Sequence, residues 1–406
     1  MPENLFNHQL QGGTNMKDIV ISDAVKYIGA DDKDLDLFES QYIVPNGVSY
    51  NSYVILDEKI AVMDTIDTRK TDEWKENLER VLDGRTPDYL IVQHMEPDHS
   101  ASIPAFLKKY PKATVVSTAK GFQFMEQFFP EFFAEQGLPA EQRIVAANDG
   151  VLELGQHSLH FVYAPMVHWP EVMMTYEATE KILFAADGFG KFGALDAEEE
   201  WADEARRYYI GIVGKYGPQV QAVLKKAAGL DIQTICSLHG PVLKENLGFY
   251  LEKYDKWSSY QPEESGVVIA YASVYGNTRN AAEYLADVLQ EKGQKTVLYD
   301  LARCDKAKAV ADAFRYDRLV LAGITYNGDL FPCMRSFIEG LTERNYQNRK
   351  VAIIENGTWA PMAGKLILGM FEKSKNLTFT ETTVSIKSAM NEQNKDEIGK
   401  LAEELC

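Results

Sequence analysis

A short polar turn after an apolar strand constrains this chain more than any other stretch. An apolar run typical of a buried strand is followed at residues 94–99 by His-Met-Glu-Pro-Asp-His. Residues two apart in an extended segment point the same way, so His94 and Glu96 can hold one ion together. The proline turns the chain and directs Asp98 and His99 toward a second position. Because polar turns rarely gather four such ligands in six positions, the motif predicts two metal sites rather than a loop with accidental histidines.

Three further polar residues, His168, Asp187 and His239, each follow an apolar run that predicts a strand and come just before Gly or Pro. Taken alone, each has a structural explanation, since Asp187-Gly188 is a common turn pair. Strand ends in a layered sheet fold converge on one edge, however, so residues far apart in sequence can meet there. We therefore add these three residues to the candidate metal site. The chain has seven histidines, and we set aside the three that lie in the leader, in a turn and in the middle of a strand: His8, His157 and His160.

Size and composition limit the possible classes of protein. A chain of 406 residues is long enough for two or three domains. The net charge of -18 argues against nucleic acid and against anionic membranes, and it favours a small partner with a basic patch. The four cysteines include no Cys-x-x-Cys pair, which disfavours a zinc ribbon, a fused rubredoxin-type site and a disulfide framework. Because neither a transmembrane run nor a signal peptide is recognisable, we expect a cytoplasmic protein.

A polar segment with Pro and Gly divides the chain into two predicted domains. We place the first domain at residues 16–258, a linker at 259–266 and the second domain at 267–406. Residues 1–15 are polar and predict a disordered leader, with Met16 as a candidate start. After the linker, five apolar strands alternate with helices, which predicts a parallel doubly wound sheet of flavodoxin order with a ligand at its switch point.

The first strand-to-helix turn of the second domain has the features of a phosphate loop. Its hydroxyl and amide side chains are donors, its glycine lets the backbone curl, and the following helix adds its positive end. With no lysine, the loop fits one terminal phosphate rather than a nucleoside triphosphate; a plain turn with a helix cap is the alternative. The loop residues are Ser273, Val274, Tyr275, Gly276, Asn277 and Thr278.

Two later loops follow the third and fourth strands of this sheet and flank the same switch point. Their aromatic side chains can stack on a planar ring and their glycines let it approach the backbone. An ordinary loop anchor is the alternative for the tryptophan. The candidate residues are Thr325, Tyr326, Asn327 and Gly328 in one loop, and Asn356, Gly357, Thr358 and Trp359 in the other.

These motifs together resemble those of the flavodiiron proteins, or A-type flavoproteins. The first half is similar to a metallo-β-lactamase-type αββα sandwich in which the His-x-His-x-Asp-His signature has become His-x-Glu-x-Asp-His, a change typical of this family. Trp169-Pro170 after His168 also matches its pattern. The loop at 273–278 resembles the flavodoxin phosphate loop, which implies FMN. The resemblance covers nearly the whole chain from about Met16, with the two domains in the family's order.

The resemblance also implies a set of ligands for two iron ions. One iron would have His94, Glu96 and His168, and the other would have Asp98 and His239. Asp187 would bridge them. His99 matches a family position that is a ligand in some members and turned away in others. Glu96 in place of an imidazole adds a hard anionic donor, which suits iron in redox work better than zinc in hydrolysis.

The activity implied by the resemblance is reduction of O2 to water, of NO to N2O, or of both, at a non-haem diiron site. FMN would relay electrons from a rubredoxin-type donor, in a head-to-tail homodimer or a dimer of dimers. The main alternative is a dinuclear zinc hydrolase of metallo-β-lactamase type fused to a flavodoxin electron-transfer module. Two others are an electron carrier whose metal site is only structural, and a sensor that uses FMN as a redox gauge.

Overall fold

The computed structural model describes residues 19–406. The predicted leader at 1–15, its His8 and the candidate start at Met16 lie outside the described residues. The described chain forms two compact units, residues 19–201 with 231–247, and residues 202–230 with 248–406.

The first unit, as far as the structure describes it, contains fifteen short strands, five α-helices and two 3-10 helices, Thr68–Lys70 and Ala140–Gln142. The strands are β1 (Val25–Tyr27), β2 (Ala30–Asp32), β3 (Leu37–Phe38), β4 (Tyr42–Ile43), β5 (Val48–Tyr50), β6 (Tyr53–Ile55), β7 (Ala61–Met63), β8 (Tyr89–Ile91), β9 (Thr114–Ser117), β10 (Arg143–Val145), β11 (Val151–Glu153), β12 (Ser158–Tyr163), β13 (Met173–Glu177), β14 (Ile182–Phe184) and β15 (Thr234–Cys236). The helices are α1 (Thr71–Leu82), α2 (Pro97–Ser100), α3 (Ile103–Lys109), α4 (Ala119–Phe128) and α5 (Pro130–Glu135).

Two sheets pack face to face in this unit. One has the order β1-β6-β7-β8-β9-β10 and the other the order β11-β12-β13-β14-β15. Inward-facing residues of both sheets, such as Met63, Val116, Phe161 and Phe184, form one buried core. The sequence predicted this hairpin-rich sandwich, including helix 71–82, whose buried Trp74 donates from Nε1 to Ser52 Oγ at 3.0 Å. Strands β7 to β10 run parallel, so their carboxyl ends share one edge.

From residue 201 onward, and apart from β15, the described chain contains eight α-helices and six strands. The helices are α6 (Trp201–Tyr208), α7 (Gly217–Ala227), α8 (Leu247–Ser258), α9 (Asn277–Glu291), α10 (Lys306–Arg315), α11 (Pro332–Thr342), α12 (Ala363–Met370) and α13 (Glu392–Leu405). The strands are β16 (Glu264–Tyr271), β17 (Thr296–Asp300), β18 (Tyr316–Tyr326), β19 (Asp329–Leu330), β20 (Arg349–Asn356) and β21 (Leu377–Ile386).

The second unit is built on a parallel sheet with the strand order β17-β16-β18-β20-β21. Numbered from the first strand of this sheet, the order is 2-1-3-4-5, so the predicted five-stranded flavodoxin-like sheet is confirmed. Helices α9 and α13 contribute to one buried core with the central strands. Strands that are covered by helices consist of consecutive apolar residues, and these apolar runs allowed the strands to be predicted from the sequence. Across residues 19–406, no helix is both long enough and apolar enough to span a bilayer.

The compact units differ from the predicted domains around the predicted linker. Helix α8 continues to Ser258 and β16 begins at Glu264; Trp257 in the last turn of α8 and Tyr260 between the two elements are both buried. Residues 202–230 and 248–266, which the sequence assigned to the first domain and the linker, lie in the second unit. The physical reason is a buried ion network. The carboxylate of Glu263 accepts hydrogen bonds from Arg206 of α6, and from Lys253 Nζ and Trp257 Nε1 of α8, the last two at 2.7 Å.

Replacing Glu263 with glutamine is expected to destabilise the second unit. Burial would raise the pKa of Glu263, but Arg206, Lys253 and Trp257 lower it to about 2. Removing one partner of a buried pair costs about 3–5 kcal/mol, and we expect about 3 kcal/mol because Arg206 keeps Asp203 at 3.0 Å. Since the pKa is depressed, the contribution of Glu263 is complete above its unfolded value of about 4.3 and is lost as the pH falls toward 2.

Urea unfolding followed by circular dichroism measures this effect. The matched control is Glu252→Gln on α8, whose exposed carboxylate lies 2.8 Å from Lys256. Exposed pairs contribute little, so we expect no measurable change for the control. Equal unfolding midpoints for the two variants at neutral pH would contradict the role given to Glu263.

Candidate metal centre and phosphate-loop cleft

All seven predicted metal ligands of the first unit come together in two groups. Within each group, one potential ligand atom per residue lies within 4.8 Å of the others. The side chains come from the end of β8, from α2, and from the segments that follow β12, β14 and β15. The first group contains His94, Glu96, His168 and Asp187, and the second contains Asp98, His99 and His239.

Asp187 faces both groups. Its Oδ2 atom lies 3.3 Å from His94 Nε2 and 3.2 Å from His168 Nε2. Its Oδ1 atom lies 3.1 Å from His99 Nε2 and 3.9 Å from His239 Nε2. The two oxygens of one carboxylate thus point to different groups, which is the geometry that a bridging ligand requires.

His99, whose orientation the sequence left open, points into the second group. Its Nε2 atom lies 3.2 Å from Asp98 Oδ2 and 3.1 Å from His239 Nε2. Each group therefore offers two imidazoles, one carboxylate of its own and one oxygen of Asp187. This equal division of donors is a feature that spacing in the sequence did not predict.

The carboxylates of this cluster fit bound cations. Both oxygens of Asp98 and of Asp187 are buried and receive no hydrogen bond from residues 19–406. Burial would raise the pKa of Asp187, but the imidazoles of His94, His99 and His168 lower it well below its usual value. The carboxylate is therefore ionised at neutral pH. A buried ionised carboxylate without hydrogen-bond donors is costly unless a cation compensates it.

Two groups behind the cluster orient its imidazoles, and the sequence predicted neither. Glu171 Oε1 accepts from His94 Nδ1 at 2.8 Å and from the Met95 backbone N–H at 3.0 Å. The Ser49 carbonyl accepts from His239 Nδ1 at 2.7 Å. Both contacts leave Nε2 of the ring facing the cluster. A buried glutamate three residues after His168 was a usable signal for Glu171, whereas a backbone carbonyl leaves no mark in the sequence.

Glu39 is a further titratable group at the first group, and sequence reasoning missed it. Burial and then repulsion by Glu96 raise the pKa of Glu39 to about 7. The residue adopts a left-handed φ of 48° in the turn after β3. The carboxyl group of Glu39 therefore lies beside Glu96, at the edge of the first group.

In the second unit, the three predicted loops form a cavity of about 530 Å³ at the carboxyl ends of the sheet. Thirteen of the fourteen predicted residues line it. The exception is Gly276, which shapes the loop with a φ of 94°. None of the lining residues, all from the described part of the chain, carries a charge. The residues that sequence reasoning missed are Ile324, Ala360, Met362 and Ser388.

Hydrogen bonds between the loops fix the shape of this cavity. Ser388 Oγ lies 3.0 Å from Thr358 Oγ1, and the Asn356 side chain donates to the Ser388 carbonyl at 2.8 Å. Thr325 Oγ1 accepts from the Met362 backbone N–H at 2.8 Å, so this predicted cavity residue also joins two of the loops. At the rim, Tyr275 and Trp359 are 93% and 90% exposed. Large aromatic rings so exposed beside a cavity are typical of a binding surface.

Comparisons with known proteins match both domains. Residues 48–240 match the sequence model of the ODP family beta lactamases, and residues 268–378 match a flavodoxin domain. The chain is 34% identical to diflavin flavoprotein A 1 of Synechocystis sp. over 68% of its own length and 48% of that protein. It is 27% identical to the anaerobic nitric oxide reductase flavorubredoxin of Klebsiella pneumoniae over 84% of its length and 72% of that protein.

Its fold is shared with solved structures. The rubredoxin oxygen:oxidoreductase of Desulfovibrio gigas superposes with a TM-score of 0.87 at 24% identity, over 95% of this chain and 97% of that one. A flavoprotein of Thermotoga maritima superposes with a TM-score of 0.84 at 25% identity, over 96% and 98%. The chain spans about half the length of the diflavin flavoproteins that it matches.

Fold and site define a class of protein in which a metallo-β-lactamase-like domain with a two-position metal cluster precedes a flavodoxin-like domain. With both domains matched in this order, and with the relatives just described, the chain belongs to the flavodiiron proteins.

Proposed function

We propose that this protein reduces O2 to water, NO to N2O, or both, at a non-haem diiron centre held by the two ligand groups. The observation that carries the proposal is the position of Asp187, whose two oxygens each face a different group of equal composition. Three carboxylates, Glu96, Asp98 and Asp187, make the cluster rich in anionic oxygen. Such donors suit iron in redox work better than zinc.

FMN is the cofactor that we propose for the cavity of the second unit. Its neutral lining fits an isoalloxazine ring, and the loop at 273–278 offers one phosphate the N–H groups at the start of α9, where no side chain caps the helix. When bound, the irons and the flavin supply the electrons. The protein residues hold the two metal positions together, orient the imidazoles and keep Asp187 ionised.

Electron counting supports a flavin and an external donor. Reduction of O2 to two waters takes four electrons and four protons, whereas two ferrous ions give two electrons. Reduction of two NO to N2O and water takes two. We infer a rubredoxin-type donor and a head-to-tail homodimer or a dimer of dimers, in which the flavin of one subunit faces the metal centre of its partner. The exposed Tyr275 and Trp359 beside the cavity support such a contact. A cytoplasmic location stays a prediction from the sequence.

Rapid mixing tests the proposed activity. Protein loaded with iron and FMN is reduced anaerobically with rubredoxin and its reductase and is then mixed with O2 or with NO. We expect reoxidation of the flavin and formation of water or N2O in stoichiometric amounts. A reduced, fully loaded protein that reacts with neither gas would leave only an electron carrier and would overturn the proposal.

The conformation of Gly276 gives a prediction for FMN binding. At its φ of 94°, an alanine adopts the backbone only with strain of about 1–2 kcal/mol. We expect Gly276→Ala to weaken FMN binding about tenfold, which corresponds to about 1.4 kcal/mol, because relief of the strain moves the N–H groups of the loop. Fluorescence titration of the apoprotein with FMN measures the dissociation constant.

Gly293→Ala is the matched control for this substitution. Gly293 has a φ of 76° just after α9, far along the chain from the loop, and an added Cβ there meets no atom within 4 Å. The strain is similar, so we expect lower stability but unchanged FMN affinity. If the two variants bound FMN equally well, the loop would not set the affinity.

A further inference from the structure

We propose that Glu171 makes the two metal positions unequal, so that the ion held by His94 is bound more tightly and, if it is iron, is oxidised at the lower potential. This inference rests on the proposed function, because it concerns the same metal centre. It assigns Glu171 as a positioning and tuning residue that acts through the His94 imidazole.

The donors themselves do not distinguish the two positions. Each group contains two imidazoles and one carboxylate, and Asp187 gives one oxygen to each. A difference in affinity or potential must therefore come from the groups behind the ligands, which orient the rings and set how basic they are.

Behind the first position stands a buried carboxylate. Glu171 is 2% exposed, and its Oε1 atom accepts from His94 Nδ1 at 2.8 Å. Its Oε2 atom is buried and has no hydrogen-bond partner within residues 19–406. The Met95 N–H donates to Oε1, and the Glu171 carbonyl accepts from Thr118 Oγ1 at 3.0 Å. The side chain is thus held in place, and its charge is directed at one imidazole.

Behind the second position the partners are neutral. His239 Nδ1 donates to the Ser49 carbonyl at 2.7 Å. His99 Nδ1 is buried and has no hydrogen-bond partner in the described chain. The other buried carboxylate nearby, Asp64, accepts from the backbone N–H groups of Gln93 and His94 and from the Gln93 side chain, and not from an imidazole.

A hydrogen bond to a carboxylate is charge-assisted and increases the electron density of the imidazole more than one to a neutral carbonyl does. A more basic His94 stabilises the more highly charged metal ion, which is the ferric form. The ferric state should therefore form first at the position of His94, Glu96 and His168, and the mixed-valence protein should have its ferrous ion at the position of His239.

Glu171→Gln tests this without removing the contact, because the glutamine Oε1 atom can still accept from His94 and Met95. Redox titration of protein loaded with iron-57, read by Mössbauer spectroscopy at pH 8, gives the potential of each iron. We expect two potentials in the unaltered protein and a smaller gap in Glu171→Gln. Removing the charge of a carboxylate that accepts a hydrogen bond from a metal-ligating histidine lowers the affinity for the metal about tenfold or more. A tenfold relative loss for ferric iron equals about 59 mV for a one-electron couple.

Zinc titration of the apoprotein is a second measurement that needs neither iron nor turnover. We expect the tighter of two sites to weaken about tenfold in Glu171→Gln, with the weaker site unchanged, and Glu171→Asp to recover part of the loss. Glu177→Gln is the matched control, since it alters a buried carboxylate of the same unit that accepts from the backbone N–H groups of Thr179 and Glu180 and belongs to neither ligand group. It should leave the gap between the two potentials in place.

The outcomes separate this inference from the proposed function. A protein that does not bind two irons would overturn both. Two bound irons with equal potentials, an unchanged gap in Glu171→Gln, or the same loss of the gap in Glu177→Gln would overturn the role of Glu171 alone.

Discussion

Asp187→Ala is expected to abolish gas reduction, with a loss of more than the roughly 100-fold seen when only a supporting residue of a metal ligand is removed. Asp187 is the one carboxylate whose oxygens face both groups, at 3.2 Å from His168 and 3.1 Å from His99. Without it, each position keeps two imidazoles and one carboxylate, and nothing holds two cations close together against their repulsion. We expect iron content to fall from two ions per chain to one or fewer.

FMN content should not change in this variant, because the proposed flavin cavity is formed by residues of the second unit alone. The matched control is Asp149→Asn in an exposed turn, where asparagine tolerates the same left-handed φ of 62°. It should retain iron, FMN and activity. Iron analysis, flavin absorbance and anaerobic gas consumption give the three readings. Retained gas reduction in Asp187→Ala would refute the bridging role.

The metal ligands could be predicted because they sit at strand ends. His168, Asp187 and His239 each follow an apolar run, and a layered sheet brings such ends to one edge. The direction of His99 could not be predicted, since it depends on how α2 packs beside Asp187. The support from Glu171 and from the Ser49 carbonyl depends in the same way on tertiary contacts. His94 and Glu171 are 77 residues apart in the chain.

The domain boundary shows a different limit of sequence reasoning. Residues 259–266 are polar in composition and therefore indicated a linker. The side chain of Glu263 in this stretch is nonetheless fully buried, because Arg206, 57 residues earlier, compensates its charge. The composition of a segment shows that it contains a charged residue, but it does not show which distant residue compensates that charge. In the flavin cavity, similarly, the unpredicted Ser388 follows β21, which ends at Ile386, and it contacts Asn356 and Thr358 of a loop about 30 residues earlier in the chain.

Exchanging iron for zinc is expected to stop gas reduction completely while leaving the fold and FMN content unchanged. Zinc has no redox chemistry at a protein site, so it cannot pass electrons to O2 or NO. The same experiment tests the zinc hydrolase, the alternative that shares the fold of the first unit. A hydrolase needs the metal to lower the pKa of a bound water to about 7. Here Glu96, Asp98 and Asp187 place three anions around two ions, which weakens that effect.

We therefore expect zinc-loaded protein to hydrolyse a chromogenic β-lactam no faster than the metal-free protein does. Iron-loaded protein from the same batch of apoprotein is the control, and it should consume O2 or NO with reduced rubredoxin as donor. Rapid hydrolysis by the zinc form, together with inactivity of the iron form, would contradict the proposed gas reduction. The ligands would then hold zinc as a Lewis acid for hydrolysis. The three carboxylates favour the opposite result. Each anionic donor reduces the effective positive charge that zinc presents to a bound water. The same donor stabilises the ferric ion that a gas-reducing centre must regenerate.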